Sequence, residues 1–215
     1  SDLGLQALNA ILLPSPNSEA GDFVVPTAED PDAVRTLTEF TTSEVNEAHP
    51  ITSNLASSED APTFYFEAAR PLQIDASLQD FNVEPLLFVG AERYGETDFL
   101  AFNNDGVIEY NIGDDVAPGR SILAAAYENE SRDARFVLLG DGNFVRNGAG
   151  FRTSPSYSGS FLFPDNVRFM MNATAWLLER QPETFDFPTP APTATATITP
   201  SPTPEMPESE AESGE

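Results

Sequence analysis

The clearest pattern of apolar and polar positions runs from residue 134 to residue 180. An apolar run, Ala134 to Leu139, stops on Gly140-Asp141 and is followed by a polar, glycine-rich loop. Residues with helical spacing then extend from Asp165 to Arg180. A buried strand, a loop and a helix laid back on the sheet form the repeating unit of α/β domains. The pattern therefore predicts an α/β fold with an open, mostly parallel sheet.

The predicted helix carries an apolar stripe that would face the sheet. Its members are spaced by three and four positions: Val167, Met170, Met171, Thr174, Leu177 and Leu178. Asp165 would cap the N-terminus and Arg180 would lie in the last turn, where each charge complements the helix dipole. Phe169 and Trp176 fall toward the flanks of the stripe. This assignment predicts that Leu177→Asp unfolds the domain.

Shorter patterns predict the remaining elements. Residues 1–13 have apolar side chains at helical spacing, which predicts an opening helix. A chain that opens in a helix indicates that earlier strands and helices are missing, so the fold is expected to be N-terminally incomplete. Residues 121–127 and the run from Ala134 are separated by a polar turn, which predicts an antiparallel hairpin. Further strands are predicted by β-branched and aromatic composition at residues 22–25, 63–66 and 83–89.

Two polar segments are candidate binding or anchoring loops. Residues 90–97 are predicted to form a loop whose side chains suit binding, although a solvated connection explains them equally well. His49 is the only histidine, and the proline that follows it disfavours helical backbone at its position. A histidine beside a proline is more often a hydrogen-bonded loop anchor than a catalyst. His49 and Pro50 are therefore assigned to a structural loop.

The composition changes after Pro182. Residues 188–204 are a tract of proline, threonine and alanine, and residues 205–215 are acidic. Neither segment can bury enough apolar surface to order itself. The sequence therefore predicts a domain over residues 1–182 and a disordered tail over residues 183–215. Such a tail serves either as an extracellular stalk or as a plain disordered terminus.

The charge balance narrows the classes of partner. The chain has 10 basic residues, all arginine, and 35 acidic residues, which gives a net charge of −25. Such a surface should repel nucleic acid and anionic lipid headgroups. The absence of cysteine and lysine excludes disulfides, thiolate metal sites, cysteine nucleophiles and Schiff-base lysines. No apolar run reaches membrane length, so no membrane insertion is expected in this segment.

No complete catalytic or cofactor-binding motif is present. The chain lacks a G-x-S-x-G elbow, and residues 140–142 lack the third glycine of a dinucleotide-binding loop. Asp105, Asp114 and Asp115 fail the ligand spacing of an EF-hand, so neither a metal nor a cofactor is predicted. Asp141 either lies at the ligand-binding edge of the sheet or caps its own turn. Capping is the preferred interpretation.

Several short motifs, taken in order, resemble those of a known family. Residues 136–144 (FVLLGDGNF) and 165–177 (DNVRFMMNATAWL) resemble the closing motifs of the GldG-type auxiliary domains of ABC transporters. Those domains are class I glutamine amidotransferase-like. Further motifs fall in the expected order: residues 49–55 (HPITSNL), 69–72 (ARPL), 85–87 (PLL) and 94–97 (YGET). The resemblance covers about residues 3–180.

The resemblance implies a flavodoxin-like, class I glutamine amidotransferase-like α/β domain. It also implies an extracytoplasmic location, attachment to membrane proteins and no catalysis. Amidotransferases of this fold use a cysteine nucleophile, which this chain lacks. The chain departs from the family pattern at Tyr94, Gly142 and Asn143, and its N-terminal half is short.

The first functional hypothesis is therefore a non-catalytic extracytoplasmic binding or scaffolding domain of a membrane-associated system, such as an ABC-transporter accessory. It would need no cofactor, and transporter subunits are candidate protein partners. The candidate binding residues are Tyr94, Glu96, Thr97, Asp141, Asn143, Arg146 and Asn147. One alternative is a hydrolase of a small or saccharide ligand, with Asp141 and His49 as acid and base. Another is a cell-surface structural module on the Pro/Thr stalk.

Overall fold

The computed structural model describes residues 4–15, 37–56, 60–75, 82–98, 110–153 and 160–179. Its strands are β1 (Leu5–Ala7), β2 (Ile11–Pro14), β3 (Glu39–Thr42), β4 (Phe64–Glu67), β5 (Leu72–Ile74), β6 (Asn82–Val89), β7 (Arg93–Glu96), β8 (Ser121–Asn129) and β9 (Ala134–Leu139). Its complete α-helices are α1 (Ser53–Ala56) and α2 (Pro164–Leu177), and short 3-10 helices span Glu130–Arg132 and Asn143–Val145. The predicted tail over residues 183–215 and the predicted strand at 22–25 lie outside the described residues.

The described strands form one large sheet and two small ribbons, and every strand pair is antiparallel. Strand β8 is the centre of the five-stranded sheet. Strand β6 lies along one edge of β8, β5 and β9 share the other edge, and β1 pairs with β5. The ribbons are β2–β7 and β3–β4.

The prediction of an open, mostly parallel sheet is therefore wrong, and so is the flavodoxin-like, amidotransferase-like fold that the resemblance implied. The predicted unit of strand, loop and helix is present as β9 and α2, but α2 follows the last described strand and connects no parallel pair. A polar turn returns the chain from β8 directly to β9, and a short turn can join only antiparallel neighbours.

The β8–β9 hairpin itself confirms the sequence-based prediction. Its register runs from Ala124 opposite Leu139 to Asn129 opposite Ala134. Asn129 caps the connecting turn because its side-chain oxygen accepts a hydrogen bond from the Arg132 backbone N–H at 3.1 Å. The strands predicted at residues 63–66 and 83–89 are also present, as β4 and β6.

The N-terminal residues form strands β1 and β2 rather than the predicted helix. Leu12 and Leu13 are both fully buried, and β2 pairs with β7 through Leu12 opposite Gly95. An apolar run this short fits a buried strand as well as a helix, so its spacing did not discriminate between them. Pairing of β1 with β5 and of β2 with β7 determines that these residues form strands.

Residues 93–96, predicted to be part of a polar loop, form strand β7. Arg93 connects the two ribbons: its Nη1 donates to the carbonyl oxygens of Leu12 in β2 (3.4 Å) and of Leu37 just before β3 (3.0 Å). Its Nη2 donates to the carbonyl oxygen of Glu39 at 3.3 Å, and its guanidinium carbon lies 4.1 Å from the centre of the Phe40 ring. Burial lowers the pKa of Arg93 to about 10, so the group stays charged at neutral pH.

The main core contains an aromatic cluster where α2 and the loop after β9 meet β4. Phe64, Phe66, Phe144 and Phe169 are fully buried. Their ring centres lie between 5.0 and 6.5 Å apart, which is the usual range for favourable aromatic pairs. The helix and the loop are thereby attached to the same strand.

Helix α2 presents a different face to the core than its apolar stripe predicted. Its buried residues are Asn166, Phe169, Asn172 and Ala173. Leu177 is 40% exposed and Leu178 is 58% exposed. The two asparagines bond to neighbouring segments, and those bonds turn the helix so that much of the predicted stripe is half-buried or exposed.

The N-cap of the helix also lies two residues earlier than predicted. Phe163 occupies the N-cap position and Pro164 the first turn, where its missing N–H costs nothing. Asp165 is therefore not the cap. Its carboxylate instead accepts a hydrogen bond from the Thr63 backbone N–H at 2.8 Å, which ties the first turn of α2 to the start of β4. Arg180 lies outside the described residues.

Among the described residues, no helix is both long enough and apolar enough to cross a membrane.

Exchanging Phe169 for alanine is expected to lower the free energy of unfolding by about 3–5 kcal/mol, because it removes a fully buried ring. Leu177→Asp is expected to lower it by only about 1 kcal/mol, because that residue is already 40% exposed and is not part of the buried face of α2. Urea unfolding followed by circular dichroism measures both. If the aspartate variant lost as much stability as the alanine variant, the observed orientation of α2 would be wrong.

Candidate binding site at the loop after strand β9

The loop after β9 begins where the chain meets the segment that connects β4 to β5. We call residues 67–71 the crossing segment. The Arg70 N–H donates to the Gly140 carbonyl oxygen at 2.8 Å, and the Glu67 N–H donates to Asp141 Oδ2 at 2.7 Å. The end of β9 is therefore held by backbone groups of the crossing segment.

The crossing segment also bonds to both ribbons. The Ala68 N–H donates to the Thr38 carbonyl oxygen at 3.1 Å, and the Ala69 carbonyl oxygen accepts from the Leu12 N–H at 2.9 Å. Ala68 has a positive φ of 56°, a backbone conformation that residues other than glycine adopt rarely. The loop after β9 thus rests on the point where all three sheets are joined.

Asp141 caps the turn that follows it, as the sequence favoured, and also makes a bond that the sequence did not predict. Its Oδ1 accepts from the Asn143 N–H at 2.6 Å, while its Oδ2 takes the bond from Glu67. The side chain is only 3% exposed. Burial raises the pKa of Asp141, and the N–H donors oppose that shift. This carboxylate is a structural connector that no partner can reach directly.

Two glycines allow the loop to approach its neighbours closely. A Cβ atom at Gly140 would lie 2.0 Å from the Arg70 carbonyl oxygen, and one at Gly150 would lie 1.9 Å from the Phe144 carbonyl oxygen. Neither position can hold a larger side chain without moving backbone. Gly142, by contrast, has no atom within 4 Å of such a Cβ.

Asn166 fastens the other side of the loop. Its Oδ1 accepts from the Tyr65 N–H and its Nδ2 donates to the Tyr65 carbonyl oxygen, both at 2.9 Å, so the carboxamide pairs with β4 as a neighbouring strand would. The same Nδ2 also donates to the Phe144 carbonyl oxygen at 3.2 Å. The apolar periodicity of the helix gives no indication of Asn166, because its partner Tyr65 lies far away along the chain. The local signal is an asparagine three residues before the buried Phe169.

The tip of the loop, residues 145–148, is exposed. Arg146 bonds to Asn143 Oδ1 at 3.3 Å, and Asn147 lies beside it in solvent. Arg152 flanks the tip: its Nε donates to the Gly148 carbonyl oxygen at 3.2 Å, while its Nη2 is buried without a hydrogen-bond partner. Neither arginine takes part in the ion pairs found within the described residues.

The second group of candidate residues lies elsewhere and is mostly inaccessible. Tyr94 is fully buried, and its hydroxyl donates to Glu96 Oε2 at 3.0 Å. Glu96 is 3% exposed and also accepts from the Asp98 N–H at 2.7 Å. Burial raises the pKa of both Tyr94 and Glu96. Only Thr97 is exposed, and its hydroxyl donates to Asp115 Oδ1 at 2.8 Å.

The two groups of candidate residues are therefore not brought together. No hydrogen bond within the described ranges joins residues 94–97 to residues 141–147. The accessible part of the predicted set reduces to Arg146, Asn147, the partly exposed Asn143 and, on a separate surface, Thr97.

The acid–base pair of the hydrolase alternative is not assembled either. Asp141 lies near the beginning of α2. Its carboxylate accepts a hydrogen bond from the Phe144 N–H, and the Phe144 carbonyl oxygen accepts one from Asn166 in the first turn of the helix. His49 instead contacts Trp176 near the end of α2, with ring centres 5.4 Å apart. Trp176 follows Asn166 by ten positions along the helix, which corresponds to about 15 Å. The two groups thus face different ends of the helix.

A shallow, open groove of about 390 Å³ lies beside the β3–β4 ribbon. Four of its lining residues carry hydroxyl groups: Thr41, Thr42, Ser43 and Thr63. The others are Glu44, Ala61, Pro62 and Glu92. Glu44 already forms an ion pair with Arg120 at 3.2 Å. In the part of the chain that the structure describes, no group of three or more acidic or histidine side chains is arranged to hold a metal ion. The loop tip is therefore the better candidate for binding.

Comparison of the chain with models of protein families, with curated proteins and with solved structures gave no match.

Replacing Gly150 by alanine is expected to lower the free energy of unfolding by about 3 kcal/mol, the upper end of the usual cost of overpacking. The added Cβ would meet the Phe144 carbonyl oxygen, which Asn166 holds in place. Thermal unfolding monitored by circular dichroism measures the loss.

Gly142→Ala is the matched control in the same loop. Gly142 has a φ of −72° and open space around it, so this variant should keep or gain about 0.4–1 kcal/mol through the stiffer unfolded chain. Equal destabilisation by the two substitutions would show that the loop does not adopt the described path.

Proposed function

We propose that this chain is a non-catalytic binding or scaffolding domain of a membrane-associated system. In this proposal it lies outside the cytoplasm and is an accessory of an ABC transporter. It recognises a protein partner through the exposed tip at residues 145–148. The observation that carries the proposal is the contrast between that tip and its support: an exposed arginine and asparagine stand on a loop fastened at Gly140, Asp141 and Gly150.

Rigid support favours recognition because it lowers the entropy lost on binding. Asp141 and Asn166 bond the two sides of the loop to β4 and its exit, and Phe144 buries the middle. Arg146 and Asn147 are thus presented with little freedom in the backbone that carries them. Loops positioned by a rigid scaffold are common sites of binding.

The chemistry of the tip suits a protein surface that offers carboxylate or carbonyl oxygens. Arg146 supplies several donors, and Val145, which is 39% exposed, adds an apolar contact beside it. Arginine is enriched at protein interfaces and acid side chains are depleted there. Since the chain as a whole carries a net charge of −25, nucleic acid remains an unfavourable partner in this proposal.

The assignment to a transporter accessory rests on the ordered short motifs, above all residues 49–55 and 165–177. Many side chains of those motifs are buried in the fold. They are His49, Ile51, Thr52, Leu55, Asn166, Phe169 and Asn172. The buried members of the motifs explain packing, so the exposed loop tip is left as the part available for recognition. An extracytoplasmic location is in keeping with the Pro/Thr tract at residues 188–204.

A site-specific photo-crosslinker at Asn147 in the full-length protein, expressed in its own host, tests the proposal. We expect an adduct with a permease or ATPase subunit of a transporter, identified by mass spectrometry. The same crosslinker at Arg132, an exposed arginine on the β8–β9 turn, is the matched control and should give no such adduct. Equal adducts from both positions, or none from Asn147, would count against the loop tip.

Arg146→Ala combined with Asn147→Ala should abolish that adduct when the crosslinker is moved to Val145. Both side chains are exposed, so the melting temperature should stay unchanged. Arg132→Ala provides the matched loss of charge at a distant position. Retention of the adduct in the double variant would overturn the assignment of these two residues.

A further inference from the structure

A short capping segment, residues 46–56, covers the end of α2 and contains the only histidine of the chain. Asn46 attaches it to β6, because its N–H donates to the Leu86 carbonyl oxygen at 2.9 Å and its Nδ2 to the Pro85 carbonyl oxygen at 3.0 Å. Asn172 attaches it to α2, because its Nδ2 donates to the Ile51 carbonyl oxygen at 2.9 Å and to Asn54 Oδ1 at 2.7 Å.

His49 lies in the turn at the middle of this capping segment. The side chain is 5% exposed, and its Nδ1 accepts a hydrogen bond from the Ile51 N–H at 3.2 Å. An imidazole that accepts at Nδ1 must carry its proton on Nε2 and be neutral. Protonation of Nδ1 would place two donors against each other and break the bond to Ile51.

The ring of His49 also packs against Trp176 in an edge-to-face arrangement, with an angle of 60° between the rings. Trp176 is the only tryptophan of the chain. Arg135 also contacts it, with a guanidinium carbon 5.3 Å from the ring centre, and the ring packs against the main core. The histidine and the tryptophan therefore form one packed unit between the capping segment and the last turns of α2.

The charged groups around this unit act in opposite directions. Burial lowers the pKa of His49, whereas the carboxylates of Glu84 on β6 and Glu128 on β8 oppose that effect. Glu128 is bound by Arg135, which also pairs with Glu179, so part of its negative charge is already compensated. Burial remains the larger influence, and the neutral imidazole is the form that the folded structure favours.

We propose that His49 and Trp176 form an acid-sensitive latch, in which protonation of the imidazole releases the capping segment from α2. The released segment would uncover Ile51 and Leu55, both buried, together with the face of Trp176. The latch is independent of the loop tip at residues 145–148, because the two lie at opposite ends of α2.

The sign of the pH dependence follows from the direction of the shift. The pKa of His49 is lower in the folded chain than in the released segment, where it takes its ordinary value of about 6.5. The closed latch is therefore fully stable above about pH 6.5 and loses stability as the pH falls from there through the folded pKa. Between those two values the ratio of open to closed forms rises by up to about tenfold per pH unit.

Fluorescence of the full chain between pH 8 and pH 4.5 tests the latch, because the signal comes from Trp176 alone among tryptophans. We expect a one-proton transition with its midpoint below about pH 6.5. Hydrogen exchange at the Ile51 amide should lose protection over the same range, by up to about tenfold per pH unit. An adjacent imidazolium can quench tryptophan without any movement, so the exchange measurement distinguishes loss of the His49–Ile51 bond from quenching. Release from α2 should in addition break the bonds of Asn172 to the Ile51 carbonyl oxygen and to Asn54 Oδ1, which the nuclear Overhauser contacts of the Asn172 carboxamide measure.

His49→Asn is the matched variant. An asparagine oxygen can accept the Ile51 N–H bond as Nδ1 does, but it does not titrate in this range. Its fluorescence and its Ile51 protection should be independent of pH from 7 to 5. A transition that persists in His49→Asn would overturn the latch, and so would a fluorescence change in the parent chain without loss of Ile51 protection.

Discussion

The hydrogen bonds at the crossing segment are the interactions on which the rest of the structure depends. Three antiparallel sheets meet there, and each must satisfy backbone groups at a point where regular pairing stops. Asp141 and the Gly140 carbonyl supply bonds from β9, Leu12 supplies one from β2, and Thr38 supplies one from the start of β3. Buried backbone groups left unpaired cost about 1–3 kcal/mol each, so these bonds fix the relative position of the sheets.

Buried polar side chains, more than apolar ones, determine how helix α2, the capping segment and the two ribbons are oriented around this junction. Asn166 pairs with β4, Asn172 with the capping segment and Arg93 with both ribbons. Apolar contacts in the aromatic core stabilise the fold but tolerate rotation, since the hydrophobic effect has no direction. A carboxamide that must meet a particular N–H and carbonyl does not tolerate it. That is why helix α2 buries two asparagines and leaves Leu177 and Leu178 partly exposed.

The functional proposal depends on which polar side chains are bonded inside the fold and which remain accessible. Most side chains that look reactive in the sequence are used internally: Asp141 caps a turn, His49 holds a loop and Tyr94 bonds to Glu96 inside a ribbon. Arg146 and Asn147 remain free to contact a partner because the loop beneath them is already fastened. A chain arranged this way is suited to recognition, and its acid-sensitive latch would act through a separate surface at the other end of α2.

The sequence by itself determined local features whose causes lie within a few residues. These are the β8–β9 hairpin, strand β4, the existence of helix α2 and the turn that Asp141 caps, because composition, spacing and short-range bonds specify them. Strand direction, the exposure of Tyr94 and the inner face of α2 were decided only by the tertiary structure. Each depends on partners far along the chain, such as Tyr65 for Asn166 and Glu67 for Asp141. Local periodicity contains no information about such partners, which is why it predicted a parallel sheet and an apolar helix face.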